Sequence, residues 1–455
     1  MASGPHNPLT VSQTMSASGR TGSLHPSFGE ALRVWFKIGC LSFGGPAGQI
    51  ALMHRILVDE KKWIDEPRFL HALNFCMLLP GPEAQQLATY LGWALHGVRG
   101  GIVAGVLFVL PGAMVMLALS LVYALGQGLP LVDGALFGIK AAVLVIVAEA
   151  LIRIGRRALK TWLLRGLAAA AFVAIFFLAL PFPVIVIGAG LIGFAVARQA
   201  PQWLALGATE PPTARAHGHL RHALATVAIG LAAWWAPVLL AMLTLGPHHV
   251  LVTIGTFFST LAVVSFGGAY ALLAYMAQQA VDVQGWMTAP EMVDGLGLAE
   301  TTPGPLILVT QFVGFLAGFR EPAPFTPVLG GIVAAFMTTW VTFTGAMLFI
   351  FAGAPYVESL RSNRRLSGAL AAITAAVVGV ILNLTVWFSL HVLFGDVREE
   401  RTGIFRWYRF DPLDIDLKIV ALALIAAFLT FRLHRSLIEV IAVMAALGIA
   451  VQILT

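Results

Sequence analysis

Two short runs, Pro80-Gly81-Pro82 and Pro303-Gly304-Pro305, each interrupt a long apolar stretch. Proline lacks an amide hydrogen and clashes with the preceding turn, so a helix should break at each run. A new helix starts readily at the second proline, because its first amides have no intrahelical acceptor anyway. Backbone opened in this way is tolerated within a membrane only where protein or a wet cavity satisfies it. A helix start also presents amides and a positive dipole end, which suits an anion. Two Phe-Gly-Gly stretches, with Gly44 and Gly45 in one and Gly267 and Gly268 in the other, add tight turns. The chemistry implied is reversible binding of a small oxyanion by fixed backbone donors, with no catalytic residue. Candidate binding positions are Gly44, Gly45, Gly81, Glu83, Ala84, Gln85, Gln86, Gly267, Gly268, Gly304 and Leu306, with breaks at Pro80, Pro82, Pro303 and Pro305. Proline kinks shape many membrane helices, so one such run alone says little. Two in corresponding places point to a binding site.

Ionisable residues within apolar runs narrow the candidates. Lys140 and Glu149 share one segment, and charge at that depth needs a partner or a cavity. Lys140 is a candidate to balance substrate charge, with snorkelling to the interface as the plainer alternative. Glu83 directly follows the first Pro-Gly-Pro and Glu300 precedes the second, so both are proton-coupling candidates. A carboxylate at a helix start is also simply favourable there, which is the bland reading of Glu83. Asn74, Gln85, Gln86 and Gln311 offer neutral hydrogen bonds to a ligand or between helices.

The elements that must position these groups are membrane helices. The chain has 455 residues, of which 58% are hydrophobic and 11% charged. Soluble domains carry about 25% charged residues, and the mean hydropathy here is +0.86. These values exclude a soluble enzyme, a secreted scaffold and a disordered regulator. With about 20 apolar residues per crossing, the pattern reads as an all-α polytopic membrane protein of about 13 spanning or re-entrant segments. Residues 1–29 are rich in Ser, Gly, Pro and Thr and read as a disordered tail. No cleaved signal peptide is expected. The net charge of +6 comes from Lys and Arg between apolar runs, so it reflects topology rather than nucleic-acid binding.

An internal repeat organises the segments. Ser42-Phe43-Gly44-Gly45 recurs as Ser265-Phe266-Gly267-Gly268, and at the same offset Trp63 matches Trp286, Pro67 matches Pro290, and the two Pro-Gly-Pro runs coincide. The expected organisation is a tail (1–29), a first repeat (30–200), a linker with a connecting helix (201–249) and a second repeat (250–455). If each repeat has six segments, the joining helix makes the offset odd and the halves inverted. Secondary transporters are built this way, with the site between the halves. A positive-inside bias in the runs Arg153–Arg165, Arg198–Arg221, Arg361–Arg365 and Arg432–Arg435 puts the N-terminus inside, although residues 54–68 and 396–418 dissent.

Several motifs carry less than they suggest. Gly188-Ala189-Gly190-Leu191-Ile192-Gly193 has the spacing of a dinucleotide fingerprint, but it lies in a hydrophobic run and reads as close helix packing. His217, His219 and His222 have no carboxylate or cysteine to complete a metal site. No metal or cofactor is expected. Cys40 and Cys76 read as buried free thiols.

At the duplicated motifs the sequence resembles the chromate ion transporter family in its long, two-domain form. The resemblance rests on Phe43-Gly44-Gly45-Pro46, on Leu79 to Gln86, on Gly92-Trp93, on Ser265-Phe266-Gly267-Gly268, on Trp286 and on Ala299 to Pro305. It covers the chain from residue 30 onward. What it implies is export of the chromate dianion across the bacterial inner membrane, conferring chromate resistance. The alternatives are import or exchange of sulfate or a related oxyanion and, more remotely, a membrane enzyme acting on lipid phosphate. Proton coupling and a homodimer are compatible with this expectation.

Overall fold

The computed structural model describes residues 26–126, 128–205, 220–265, 269–353 and 364–454. Most of the expected tail, His217 and His219, and the Phe266-Gly267-Gly268 turn lie outside the described residues.

The first repeat comprises α1 (Phe28–Leu41), α2 (Gly45–His54, extended by a π-turn Arg55–Glu60), α3 (Glu66–Cys76), α4 (Glu83–Gly126), α5 (Pro130–Ala158), α6 (Trp162–Phe176) and α7 (Phe182–Gln199). The connecting helix is α8 (Leu220–Leu245). The second repeat follows as α9 (Val250–Val264), α10 (Ala269–Ala277, extended by a π-turn Gln278–Val283), α11 (Ala289–Thr301), α12 (Val309–Arg320), α13 (Pro327–Gly353) and α14 (Arg364–Leu393). A hairpin of β1 (Val397–Thr402) and β2 (Phe405–Phe410) precedes α15 (Leu417–Ala427) and α16 (Leu437–Leu454). Among the described residues the fold is therefore all-α apart from this small insert. Among the described residues, seven helices are long and apolar enough to cross a membrane: α4, α5, α7, α8, α13, α14 and α16.

The repeat extends to individual hydrogen bonds. Trp63 N donates to Leu57 O and Trp286 N to Ala280 O, both at 2.9 Å, and Lys61 N to Ile56 O matches Gln284 N to Gln279 O. Pro67 and Pro290 occupy the opening turns of α3 and α11, where a missing amide costs nothing. Asp65 caps the first of these helices, and a Thr288–Glu291 capping box starts the second.

Half of each repeat does not cross. Lys61, at the end of the α2 extension, pairs with Glu30 at the start of α1 at 2.8 Å, so this pair of helices folds back on itself. α4 bends at His96 and Gly97, where His96 Nε2 meets Pro26 O at 3.0 Å. The inner arm of α4 (83–95) thus returns with α3 to the face where α1 begins, here termed the tail face. In the second repeat, Arg320 at the end of α12 bonds both Glu291 and Trp286 O near the start of α11. His249, which caps α9, bonds Ala323 O just beyond α12.

The long arm of α4 (98–126), about 43 Å at 1.5 Å per residue, is a ruler for depth. Gly39 of α1 packs on Leu107 and Pro111, Gly112 packs on Pro303, and Tyr123 packs on Phe312 of α12. The first repeat therefore dips in from the tail face and the second from the far face, and the halves are inverted. Of the thirteen apolar stretches in the sequence, those near 34–53, 69–95, 250–279 and 292–318 are thus re-entrant pairs. Hydropathy alone cannot separate two half-helices from one crossing.

The repeats are also interlaced. α6 and α7 pack on α14 of the second repeat, while α15 and α16 pack on α5 of the first. A Cβ on Gly193 would lie 2.3 Å from Gly368 O, so the glycine-rich run of α7 is a helix-packing seam. The result is two lobes, one of α5–α7 and α14–α16, the other of α1, α4, α8, α9, α12 and α13.

Candidate functional site

The two Pro-Gly-Pro runs meet Ser42 and Ser265, the last residues before the two Phe-Gly-Gly stretches, at mid-depth, each on the other repeat. Gly81 N donates to Ser265 O at 3.0 Å, and Gly304 N donates to Ser42 O at 2.7 Å. Both glycines have positive φ, +129° for Gly81 and +91° for Gly304, a region that side chains with a Cβ rarely occupy. The crossing is tight, since a Cβ on Gly112 would sit 1.9 Å from Pro303 O.

Four half-helices end at this crossing and four begin there. The ending helices offer carbonyls, and several are satisfied within the protein. Gln49 Nε2 donates to Gly304 O at 2.6 Å, and Gln86 Nε2 donates to Pro80 O at 2.7 Å. The beginning helices offer amides. In α4 the first turn bond runs from Gln86 N to Pro82 O at 2.9 Å, so the amides of Glu83, Ala84 and Gln85 precede the intrahelical ladder. In α2, Gly44 with φ +85° caps a helix that starts at Gly45. The second repeat begins more slowly, with a 3₁₀ turn Leu306–Leu308 before α12.

The crossing thus brings together Gly44, Gly45, Pro80, Gly81, Pro82, Glu83, Ala84, Gln85, Gln86, Pro303, Gly304, Pro305 and Leu306. Gly267 and Gly268 lie outside the described residues. Gln85 and Gln86 are fully buried, and their Oε1 atoms have no hydrogen-bond partner. Glu83 is half-buried, and no ion pair reaches it among the described residues. Glu300 is buried one turn before the second break. Gln311 ties helices together through Nε2 to Ala113 O at 3.0 Å, while Asn74 is exposed.

Lys140 is placed differently from the other candidates. Its Nζ pairs with Asp294 Oδ1 of α11 at 3.1 Å, and Tyr123 OH donates to Asp294 Oδ2 at 3.0 Å. Glu149 is half-exposed and faces Arg153 one turn on, so it is no partner for Lys140. Sequence reasoning missed Asp294, Tyr123, Gln49 and Gly112. Asp294 corresponds to His71 in the first repeat, so no duplicated motif marks it. Its position six residues before Glu300 on a re-entrant stretch was the available signal.

The geometry defines a class: an inverted-repeat membrane protein whose paired re-entrant helices converge at mid-depth, the architecture of secondary transporters. The chromate transporter family matches residues 29–194 and 252–450, and the chain belongs to it. A chromate transport protein of Pseudomonas aeruginosa is 33% identical over 365 residues, covering 78% of this chain and 79% of that protein. A probable chromate transport protein of Synechococcus elongatus is 28% identical, covering 81% and 88%. A chromate transport protein of Cupriavidus metallidurans is 27% identical, covering 79% and 83%. No solved structure matches the chain.

Proposed function

We propose that the protein exports the chromate dianion from the bacterial cytoplasm, conferring chromate resistance, by alternating access at the crossing of its two repeats. The observation that carries this reading is the reciprocal pair of bonds, Gly81 to Ser265 and Gly304 to Ser42, which ties the break before each of α4 and α12 to the end of a helix in the other repeat. Amides at helix starts can replace part of an oxyanion's water without burying full positive charges. That matters for a dianion, because the idealised cost of burying even one charge is on the order of 20 kcal/mol. The names of the three relatives favour chromate among sulfate-shaped anions.

In this reading the dianion lies over the first turns of α2 and α4, between Gly44-Gly45 and Glu83-Ala84-Gln85. Gly44 is exposed and Pro80, Pro82 and Glu83 are half-buried, whereas Pro303, Gly304, Pro305 and Leu306 are buried. A polar, open break on the first repeat supports a wet vestibule leading to the tail face. Glu83 and Glu300 flank the site and exchange protons as the dianion comes and goes.

The tail face is cytoplasmic in this reading and the membrane is the inner one. Folding α1–α2 back on itself places Arg55, Lys61, Lys62 and Arg68 on the tail face, with the Arg153–Arg165 run, and the dissent of residues 54–68 disappears. A negative-inside potential then assists exit of a dianion by about 4.6 kcal/mol per 100 mV.

The test is uptake into everted vesicles and reconstituted proteoliposomes, comparing chromate, sulfate and molybdate with imposed voltage and pH gradients. Chromate accumulation in everted vesicles is expected. Movement of sulfate but not chromate would make this an importer or exchanger of another oxyanion, and movement of neither would end the transport reading.

A further inference from the structure

The Tyr123–Lys140–Asp294 group is the one buried ion pair in the described residues that joins the two lobes. Lys140 belongs to α5 of one lobe, Tyr123 to the long arm of α4 in the other, and Asp294 to α11, wedged between them. Asp294 is 5% exposed, and the Lys140 side chain keeps some access to solvent. α11 packs directly on α5, since a Cβ on Gly297 would lie 2.5 Å from Ile139. Gly297 is six residues from Pro303, about 9 Å along the helix. Lys140, next to Ile139, is thus anchored about two helical turns from the crossing, and its side chain ends on Asp294.

Asp294 holds Lys140 as an oxyanion would. A buried carboxylate that loses its only cation is strongly disfavoured unless it gains a proton. One ammonium therefore has two anionic claimants, and the losing one must be neutralised or leave. Resting on the transport reading above, we infer that Asp294 is a coupling-proton site: it takes up one proton when the transported oxyanion draws Lys140 away, and releases it when the pair re-forms. The step balances. The carboxylate gains a proton from the bulk solution, Lys140 keeps its charge, and the dianion replaces the carboxylate beside it. Tyr123 holds Asp294 in place in either form, because its hydroxyl can donate to the carboxylate or accept from the acid.

The groups that face Asp294 are Lys140 from α5, Tyr123 from α4 and Glu291 on α11 itself, which Arg320 of α12 holds. Glu300 lies further along α11. The mirror positions in the other half, His71, Gly353 and Leu370, cannot form such a group. The proton site is therefore one-sided, and it lies where the lobes are closed. Linkage makes the effect reciprocal, so the oxyanion binds more tightly as pH falls.

The experiment counts protons. Purified full-length protein in weakly buffered detergent with a pH dye receives potassium chromate at pH 8, where the anion is doubly charged. Proton uptake per bound oxyanion is measured for the wild type, D294N, D294E and the charge-free pair K140Q/D294N. The expected result is uptake by the wild type, about one proton fewer in D294N, and restored uptake in D294E. If D294N binds no chromate, K140Q/D294N is read instead, with one proton fewer expected, and a full count there overturns the proposal; if that pair does not bind either, D294E decides, and binding by D294E without proton uptake overturns it. Chromate binding by the wild type without proton uptake, or an unchanged count in D294N, overturns it while leaving transport intact. Wild-type protein that neither binds chromate nor moves it in vesicles defeats the transport reading itself.

Discussion

The α3 and inner-α4 pair of the first repeat and the α11–α12 pair of the second are copies of one sequence pattern in different surroundings. α11 is packed along α5 and α14, whereas the substantial packing of α3 is on α4 alone. Leu70 of α3 is 45% exposed, and its counterpart Val293 of α11 is 1% exposed. The neighbouring pairs differ in the same way, since α10 packs on α14 while α2 has no comparable packing on α5 among the described residues. Equivalent pieces in inverted halves would have equal environments if both faces were equally open. In the alternating-access mechanism we propose, their inequality is that of one state of a two-state cycle, closed between the lobes at the far face and open at the tail face. The opposite state would exchange the two environments.

The largest effect is expected at the buried break. Gly304→Val forces a β-branched residue into positive φ, with its Cβ 3.3 Å from Leu308 and 3.5 Å from the Phe108 carbonyl. Left-handed backbone costs roughly 1–2 kcal/mol for an L-residue before any clash. Together these should lower chromate flux by about a hundredfold, the equivalent of about 3 kcal/mol, while membrane insertion is retained. Gly81→Val meets the Gln86 amide at 2.7 Å and the Ala346 Cβ at 3.1 Å, side-chain atoms rather than backbone, and the amide is the far end of a flexible side chain that can shift. Its loss should be nearer tenfold. Equal losses in vesicle flux would show that the two breaks are equally constrained, against the asymmetry argued above.

Labelling sharpens the same comparison. In a background with Cys40 and Cys76 replaced by Ala, Asn74→Cys on exposed α3 should react with a charged maleimide at least about tenfold faster than Val293→Cys on buried α11. Saturating chromate should change the ratio if the states interconvert. Equal rates in the resting protein would remove the structural basis for a one-sided opening.

Much of this was legible in the sequence because the functional elements are duplicated. The Ser-Phe-Gly-Gly and Pro-Gly-Pro runs stand at fixed offset, and each Pro-Gly-Pro proves to be a backbone break bonded to the opening serine of the other repeat's Ser-Phe-Gly-Gly run. What was not legible follows from the same cause. Asp294, Tyr123 and Lys140 have no counterparts at His71, Gly353 and Leu370, so the repeat gives them no emphasis. Gln49 corresponds to Leu272 and was equally silent. The exchange of α6–α7 and α15–α16 between repeats leaves no trace in hydropathy, because a helix buried on a neighbour's lobe has the same composition as one buried on its own. The β-hairpin read as a charged loop because its strands expose most of their side chains.

A smaller effect is expected where one side chain supports the crossing without shaping it. Gln49→Leu removes the amide that satisfies Gly304 O and leaves that carbonyl buried without its donor. An unsatisfied buried acceptor costs about 1–3 kcal/mol. Gln49 has no equivalent in the other half, so the loss falls on the second break alone. Flux should drop about threefold to tenfold, with a lower melting temperature in detergent. An unchanged melting temperature would mean that water replaces the amide, and hence that the crossing is wetter than its burial implies.

The smallest effect on transport is expected far from the crossing, at a β-hairpin inserted in the second repeat that breaks the symmetry of the halves. Arg406 on β2 is buried, and its guanidinium caps the C-terminus of α6 through Nε to Phe176 O at 3.0 Å and Nη2 to Ile175 O at 2.6 Å. Its own amide bonds Phe177 O at 2.7 Å, and Glu399 lies 3.7 Å from Nη1. A cation at a helix C-terminus satisfies orphan carbonyls and the dipole together. Arg406→Ala should cost about 2–4 kcal/mol of stability, since hydrogen bonds from charged donors are worth about 1.5–3 kcal/mol each. It should leave chromate flux per folded molecule within about twofold, because α6 lies in the body of one lobe and not at the closure between them. Loss of flux out of proportion to loss of folded protein would place the hairpin in the transport cycle, and would make the far face asymmetric in function as well as in structure.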